Sequence, residues 1–275
     1  MLLQKQYSDL ESAMLTGYSV FTTFTVENNN NKYLVKAFGR HIQRLQHNVE
    51  VLFGKKNVPS REEIVAKVLN FLLKNSEIKQ LVRIAIYPKN FSIAHPSDIS
   101  AVEILVTGRA HNADKTAISL EMHEMIRPLA HLKTSALFPS LQTRACAQQN
   151  GFNDALFFYE NNVTEGPAWN IVFTKGNCVY FPDPSQKTFL EGFTQKLLQE
   201  ELLKNYANTF SIKIENITTQ DILDKKFDAA FIVSSGIDVV AVSKINEVEF
   251  QNISIKNNKI DLVTIYDNIE PEIII

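Results

Sequence analysis

The sequence predicts an α+β chain in two domains, a small α/β domain over residues 1–112 and a larger strand-rich domain over residues 113–275. Three observations carry this. A chain of 275 residues, 45% hydrophobic and 21% charged, has the size and balance of two medium globular domains. Up to about Ala110 the apolar residues switch between a period of two and a period near 3.6, which places strands and amphipathic helices in one unit. Beyond that point short runs of β-branched and aromatic residues outnumber helical patterns.

Taken in order, Ser19 to Val26 and Lys32 to Phe38 are two β-rich runs around the polar stretch ENNNN, most simply a hairpin. Ile42, Leu45, Val49, Leu52 and Phe53 then fall at helical spacing, with Gly54 as the stop. Ser60, followed by Glu62 and Glu63 in a first turn, signals a second helix running to about Lys74. Leu81 to Pro88 and Ala101 to Gly108 read as strands. The pattern weakens from Ala110 to about Leu129, where the inter-domain connection is expected. Gln142 to Gln149 looks helical, and Gly151 suits its end. Strands follow at DALFFYE, NIVFTK and CVYF, then a helix at TQKLLQEELLKNYA and a strand at IKIENI. TTQDILDKK comes next, with Thr219 as a candidate N-cap, and then the strand-turn-strand AAFIVSSGIDVVAV.

Several function classes drop out. A formal charge of −2 and a pI near 6.3 give no electrostatic reason to expect nucleic acid or an anionic membrane as partner. Ala229 to Ile245, the most apolar long window, is interrupted by Ser234, Ser235, Gly236, Asp238 and Lys244 and cannot span a bilayer as a plain helix. Two cysteines, Cys146 and Cys178, and an opening stretch without a basic n-region and apolar core point to a reducing, cytoplasmic setting. HEMIR lacks the second histidine that a zincin helix places four residues after His123, so no metal site is expected. Glycine-rich phosphate loops and a G-x-S-x-G elbow are missing as well. A small molecule is the expected ligand.

The stretch VTEGPAWNIVF, Val163 to Phe173, puts Glu165 and the chain's only tryptophan between a turn and an apolar strand. Burying a carboxylate is costly without a cationic or hydrogen-bonding partner, so either Glu165 stays at the surface or something positive is brought to it. EGFTQ, Glu191 to Gln195, places small and hydroxyl residues before a helix, where backbone N–H groups make an anion site. SSG, Ser234 to Gly236, is a second such turn. Singly each is more often a structural turn. Jointly they suit a cofactor with a cationic ring and a phosphate.

Seven segments in order, GYSVFTTF, HIQRL, HLKTSAL, NGFNDALFF, NNVTEGPAWNIVF, LEGFTQ and FIVSSGIDVVAV, resemble the class IV (fold type IV) pyridoxal-phosphate enzymes. These include branched-chain and D-amino-acid aminotransferases, R-selective amine transaminases and aminodeoxychorismate lyase. The resemblance implies a two-domain fold whose larger domain, a strand-rich pseudo-barrel, carries the cofactor lysine. It also implies pyridoxal 5'-phosphate as cofactor, a small amino substrate and a homodimer whose sites are completed at the subunit interface.

By the same resemblance, Lys133 is the lysine that binds the cofactor covalently. Glu165 pairs with the pyridine nitrogen, so that the protonated ring would be its positive partner. Arg44 reaches the phosphate, with Gly192, Phe193 and Thr194 as the turn that holds it and Ser235, or its neighbour Ser234, as a further hydroxyl. Asn170 is architectural and fixes the loop that aims Glu165. Phe138 stands where branched-chain enzymes place a tyrosine, and Phe21 and Thr22 stand where D-amino-acid aminotransferases carry a tyrosine and an acid. The opening segment, residues 1–16, lacks the family's usual strand. FTT followed by HIQRLQ resembles aminodeoxychorismate lyase most closely, which implies release of pyruvate to give 4-aminobenzoate for folate synthesis, with Thr22 or Thr23 holding the substrate. TEGPAWN resembles the amine transaminases instead and implies a ping-pong transfer through the pyridoxamine form. Arg40, Arg83, Arg109 and Arg127 are the possible binders of a substrate carboxylate.

Overall fold

In the computed structural model, which describes residues 8–30, 32–75, 77–111, 114–250 and 261–274, the residues up to His111 gather with Leu132–Leu137 and those from Pro271 onward into one unit. The described residues between His111 and Leu132 and from Phe138 to Glu270 form a second.

The first unit opens with a helix the sequence pattern did not reveal, α1 (Asp9–Thr16). Local chemistry explains it. The Ser8 hydroxyl accepts from the Glu11 N–H, the Glu11 carboxylate accepts from the Ser8 N–H, and Gly17 ends the helix at φ 64°. The expected hairpin follows as β1 (Val20–Asn29) and β2 (Lys32–Val35), paired Glu27 to Leu34. Next come α2 (Phe38–Phe53), α3 (Arg61–Leu72) behind the expected Ser60 cap, β3 (Lys79–Pro88) and β4 (Val102–Ala110). With the short strand Glu272–Ile273, the described strands make an antiparallel sheet in which β1 lies between β2 and β3.

Alternation along β1 sends Val20, Thr22, Phe24 and Val26 to one face and Phe21, Thr23 and Thr25 to the other. The first face meets Ile42, Leu45 and Val49 of α2 and Ile64 and Val68 of α3, all fully buried. Each such side chain contributes about 1.5–3 kcal/mol of transfer free energy. This burial fixes which way the β1 threonines point.

The second unit contains β5 (Ile118–Glu124), α4 (Phe138–Gln149), β6 (Asp154–Tyr159), β7 (Asn162–Val163), β8 (Asn170–Lys175), β9 (Cys178–Pro182), α5 (Phe193–Asn205), β10 (Ser211–Glu215) and α6 (Thr219–Leu223). β11 (Ala229–Ser234), β12 (Asp238–Ile245), β13 (Val248–Glu249) and α7 (Leu262–Asp267) complete it. Its strands form a mixed sheet in the order β10-β9-β8-β11-β12-β5-β6-β7, with β13 on β12. Three sequence expectations need correcting. β5 lies inside the stretch expected to be a connection and pairs in parallel with both β12 and β6. α4 starts at Phe138, four residues ahead of the expected Gln142. Thr218, not Thr219, caps α6, because its hydroxyl accepts from the Asp221 N–H three residues on.

The central strands are buried on both faces. Ile171, Phe173, Ala230, Ile232 and Val240 line one core, while Val172, Phe231, Val233 and Val239 meet Leu198 and Leu202 of α5 and Leu262 and Ile265 of α7 in another. Two-sided burial is why AAFIV reads as an unbroken apolar run. Among the described residues, no helix is long and apolar enough to cross a membrane.

Candidate active site

In the first unit Lys133 lies on the strap Leu132–Leu137, which runs beside the start of β1. The Phe21 N–H donates to the Lys133 carbonyl at 3.0 Å and the Ser135 N–H to the Ser19 carbonyl at 2.9 Å, with Val20 bridged to Thr134. Asn48, buried on α2, closes the other side. With its amide set to match its neighbours, its oxygen accepts from the Lys133 N–H at 3.0 Å and its nitrogen donates to the Arg44 carbonyl at 3.3 Å. The main chain at Lys133 is therefore held on both sides. Its ammonium rests over the Phe21 ring, 4.8 Å from the centroid.

Arg83 of β3 stacks on the same ring at 3.8 Å and donates to Ser135 Oγ at 3.2 Å. Partial burial lowers its pKa. In register across from Arg83 stands Thr23, on the sheet face that also carries Phe21. Thr22 is different. It is fully buried on the opposite face, and its hydroxyl shares a 2.6 Å hydrogen bond with His41 Nδ1. Burial first, then the charges of Arg44 and Lys133, hold His41 well below the usual histidine pKa. Thr22 is thus committed to the core, which corrects its assignment as a substrate-holding residue and leaves Thr23. Arg44 keeps part of its side chain at the surface, yet burial of its guanidinium brings its pKa from 12.5 to about 9. An anion beside it would raise that pKa back toward its usual value.

In the second unit Glu165 is buried at the head of a tight turn. The Phe157 N–H donates to its carbonyl at 2.8 Å, and it bridges to Asn170, the first residue of β8. Its carboxylate has partners within the chain. Arg127 Nε donates to Oε1 at 2.7 Å, and the Leu190 N–H donates to Oε2 at 3.3 Å. Arg127 is fixed in turn by Nη2 donating to the Ala130 carbonyl at 2.8 Å. The positive group that the buried acid demands is Arg127, which sequence reasoning had placed among the possible substrate binders. Nothing in the spacing of residues 127 and 165 joins them; β5 and β6 do.

Asn170 Nδ2 donates to the Leu190 carbonyl at 2.8 Å, so the Glu165 turn and the approach to α5 are fastened at one point. Gly192 is the N-cap of α5, and a Cβ there would collide with Asn170 Oδ1. Phe193 and the buried Thr194 begin the helix, with their N–H groups among those free of intrahelical acceptors at its start. Burial raises the Tyr266 hydroxyl of α7, and the neighbouring Thr194 acts the other way. No sequence signal pointed to Tyr266. Ser234 ends β11 and its Oγ accepts from the Gly236 N–H at 3.3 Å, which places Ser235 at the apex of that turn. Phe138 opens α4 with 77% of its surface exposed.

The chain belongs to the amino-transferase class IV family, whose model matches residues 19–245. Its fold is similar to that of the branched-chain aminotransferase of Thermoproteus uzoniensis with norvaline, at 16% identity and a TM-score of 0.81 over 96% of this chain and 88% of that one. The PLP form of the branched-chain amino acid aminotransferase of Thermobaculum terrenum matches at 16% identity and a TM-score of 0.78, covering 91% and 84%. A provisionally assigned 4-amino-4-deoxychorismate lyase of Legionella pneumophila matches at 18% identity and 0.77, covering 96% and 94%. Among curated proteins, none matches the sequence. The family and fold expected from the seven segments are borne out; identities this low leave the reaction to chemistry.

Proposed function

We propose that the chain is a pyridoxal-phosphate-dependent lyase that converts 4-amino-4-deoxychorismate into 4-aminobenzoate and pyruvate. The observation that supports it best is the row Thr23, Phe21, Arg83 beside Lys133, a hydroxyl and a cation set next to a nucleophilic amine. A small amino substrate bearing carboxylates fits that row. Of the four arginines considered as carboxylate binders, Arg127 is engaged by Glu165, whereas Arg83 stands on the face that Lys133 shares. Phe138 in place of a tyrosine weighs against a branched-chain activity.

The residues fit the cofactor by their chemistry. By the family resemblance, Lys133 would attach it and Arg44 would offer its phosphate a cation, while Glu165 would face its ring nitrogen and the Gly192–Thr194 turn and Ser235 would offer phosphate donors. When bound, pyridoxal phosphate supplies an electron sink next to the substrate amine. Arg83 and Thr23 orient the substrate. Lys133 would remove the proton from the substrate carbon that carries the amine. The ring becomes aromatic as the C–O bond to the enolpyruvyl group breaks, and that group leaves as pyruvate after taking up a proton. Arg127 keeps Glu165 anionic and aimed throughout.

Product analysis of the cofactor-loaded protein with aminodeoxychorismate, and with no keto acid added, tests this. Equal amounts of pyruvate and 4-aminobenzoate, lost in Lys133→Ala, are expected. If neither forms and amino acids or amines convert the cofactor to its pyridoxamine form, the chain is an aminotransferase, the reading that TEGPAWN favours. A cytoplasmic homodimer is part of the same proposal, and a monomeric yet active enzyme by light scattering would contradict it.

A further inference from the structure

The chain's only tryptophan stands four residues after Glu165, and its contacts run back to Gly166, the residue that follows the acid. Trp169 is buried, and its Nε1–H donates to Asp154 Oδ2 at 2.8 Å. Asp154 in turn receives two bonds from Arg144 of α4, Nε to Oδ1 at 2.9 Å and Nη2 to Oδ2 at 2.7 Å. The Ala155 N–H adds a second donor on Oδ1 at 2.8 Å. Four donors leave this carboxylate one orientation. The indole ring it directs lies against Gly166, so closely that a Cβ on Gly166 would run into the ring. The Gly166 N–H closes the turn onto the Trp169 carbonyl at 2.9 Å, and the bridge from Glu165 to Asn170 flanks it.

A mostly buried ion pair of this kind is a poor source of net stability, since well-packed apolar groups of the same volume serve as well or better. It does supply direction. A bidentate arginine fixes the plane of a carboxylate, and the carboxylate fixes the one N–H of the indole. We infer that Asp154, together with Arg144 and Trp169, positions Glu165: the ring pressed on Gly166 sets the peptide that follows the acid, and with it the grip on pyridoxal phosphate. This rests on the proposed role of Glu165. It makes Asp154 a positioning residue, since its contacts are with Trp169 and Arg144.

The test compares wild type, Asp154→Asn, Trp169→Phe and Lys133→Ala. Three readouts are taken: pyridoxal phosphate affinity by absorbance titration, the pH profile of the bound cofactor's absorption, and thermal unfolding of the cofactor-free protein. Trp169→Phe keeps an aromatic side chain at this position and removes the directing N–H together with part of the indole. In both Asp154→Asn and Trp169→Phe the affinity is expected to fall by about tenfold, the scale on which partners that orient a binding side chain act. The absorbance transition assigned to the ring nitrogen is expected to move to lower pH, because Glu165 then holds that proton less well. If Asp154→Asn does not fold, Trp169→Phe decides alone. Variants that lose thermal stability while wild-type affinity and pH profile persist would overturn the inference and leave the network a packing device. A wild type that takes up no cofactor, or binds it no better than Lys133→Ala, would instead overturn the cofactor assignment on which it stands.

Discussion

Lys133 and Glu165 are held in opposite ways. Around Lys133 the main chain is fixed, by the Phe21 N–H on one side and the Asn48 amide on the other, while the ammonium rests on the face of an aromatic ring. Around Glu165 the tip itself is fixed, by Arg127 on one oxygen and the Leu190 N–H on the other. The contrast matches two kinds of work. In the proposed reaction, an amine that must bond, release and carry a proton is served by a main chain fixed on both sides. An acid that only keeps a proton in place needs a fixed end.

The largest effect is expected from removing the lysine side chain. Lys133→Ala should abolish covalent attachment of the cofactor and lower turnover by at least about 10²–10⁴-fold, the usual share of a general base, read by product formation. Arg127→Gln should come next. It leaves a nearly buried carboxylate without its cation, and breaking such a pair costs about 3–5 kcal/mol, read as the loss in denaturant unfolding. Arg127→Lys should recover part of that loss.

Gly192→Ala drives a methyl group into Asn170 Oδ1, and overpacking of this kind costs about 1–3 kcal/mol. The cofactor's affinity should drop with it, since the helix start must shift. Of similar size is the effect at Thr22, set against a much smaller one at its neighbour Thr23. Thr22→Val leaves a buried histidine nitrogen without its hydroxyl and should cost about 1–3 kcal/mol of stability. Thr23→Val should change stability by no more than about 0.5 kcal/mol and raise KM instead.

The smallest effect is a slope with pH. Burial lowers the pKa of His41 in the folded chain below the ordinary value of 6.5, so the unfolded chain takes up the proton first. The stability tied to neutral His41 is complete above about pH 6.5 and is lost as pH falls toward the folded value. Thermal unfolding measured across that window should show a steeper acid loss in wild type than in His41→Gln.

Much of the first unit was legible because its signals are local. The period of β1, the stripe Ile42, Leu45, Val49 on α2 and the Ser60 capping box each specify their element within a few residues. The helix α1 was missed although its capping box, Ser8 with Glu11, is equally local, because its buried face is a single alanine and leaves no apolar stripe to read. β5 escaped notice for another reason. ISLEMHE is only partly buried, and what makes it a strand is parallel pairing to residues more than 30 and more than 120 positions away. The site divides along the same line. Lys133, Glu165 and the Gly192 turn sit in recognisable motifs, whereas the Arg127 partnership, the Asn48 anchor, the Thr22 commitment to His41 and the Tyr266 contact exist only through tertiary pairing. Sequence periodicity could have separated Thr22 from Thr23, since one shares its face with Val20 and Phe24 and the other does not.

The most direct test of the roles proposed for Lys133 and Glu165 is to load the protein with pyridoxal phosphate, reduce it with borohydride and locate the modified residue by mass spectrometry. Label on the peptide containing Lys133, and on no other lysine, is the expected result, with the extent of labelling reduced but its position unchanged in Glu165→Gln. Label spread over surface lysines, or confined to a lysine other than Lys133, would contradict it.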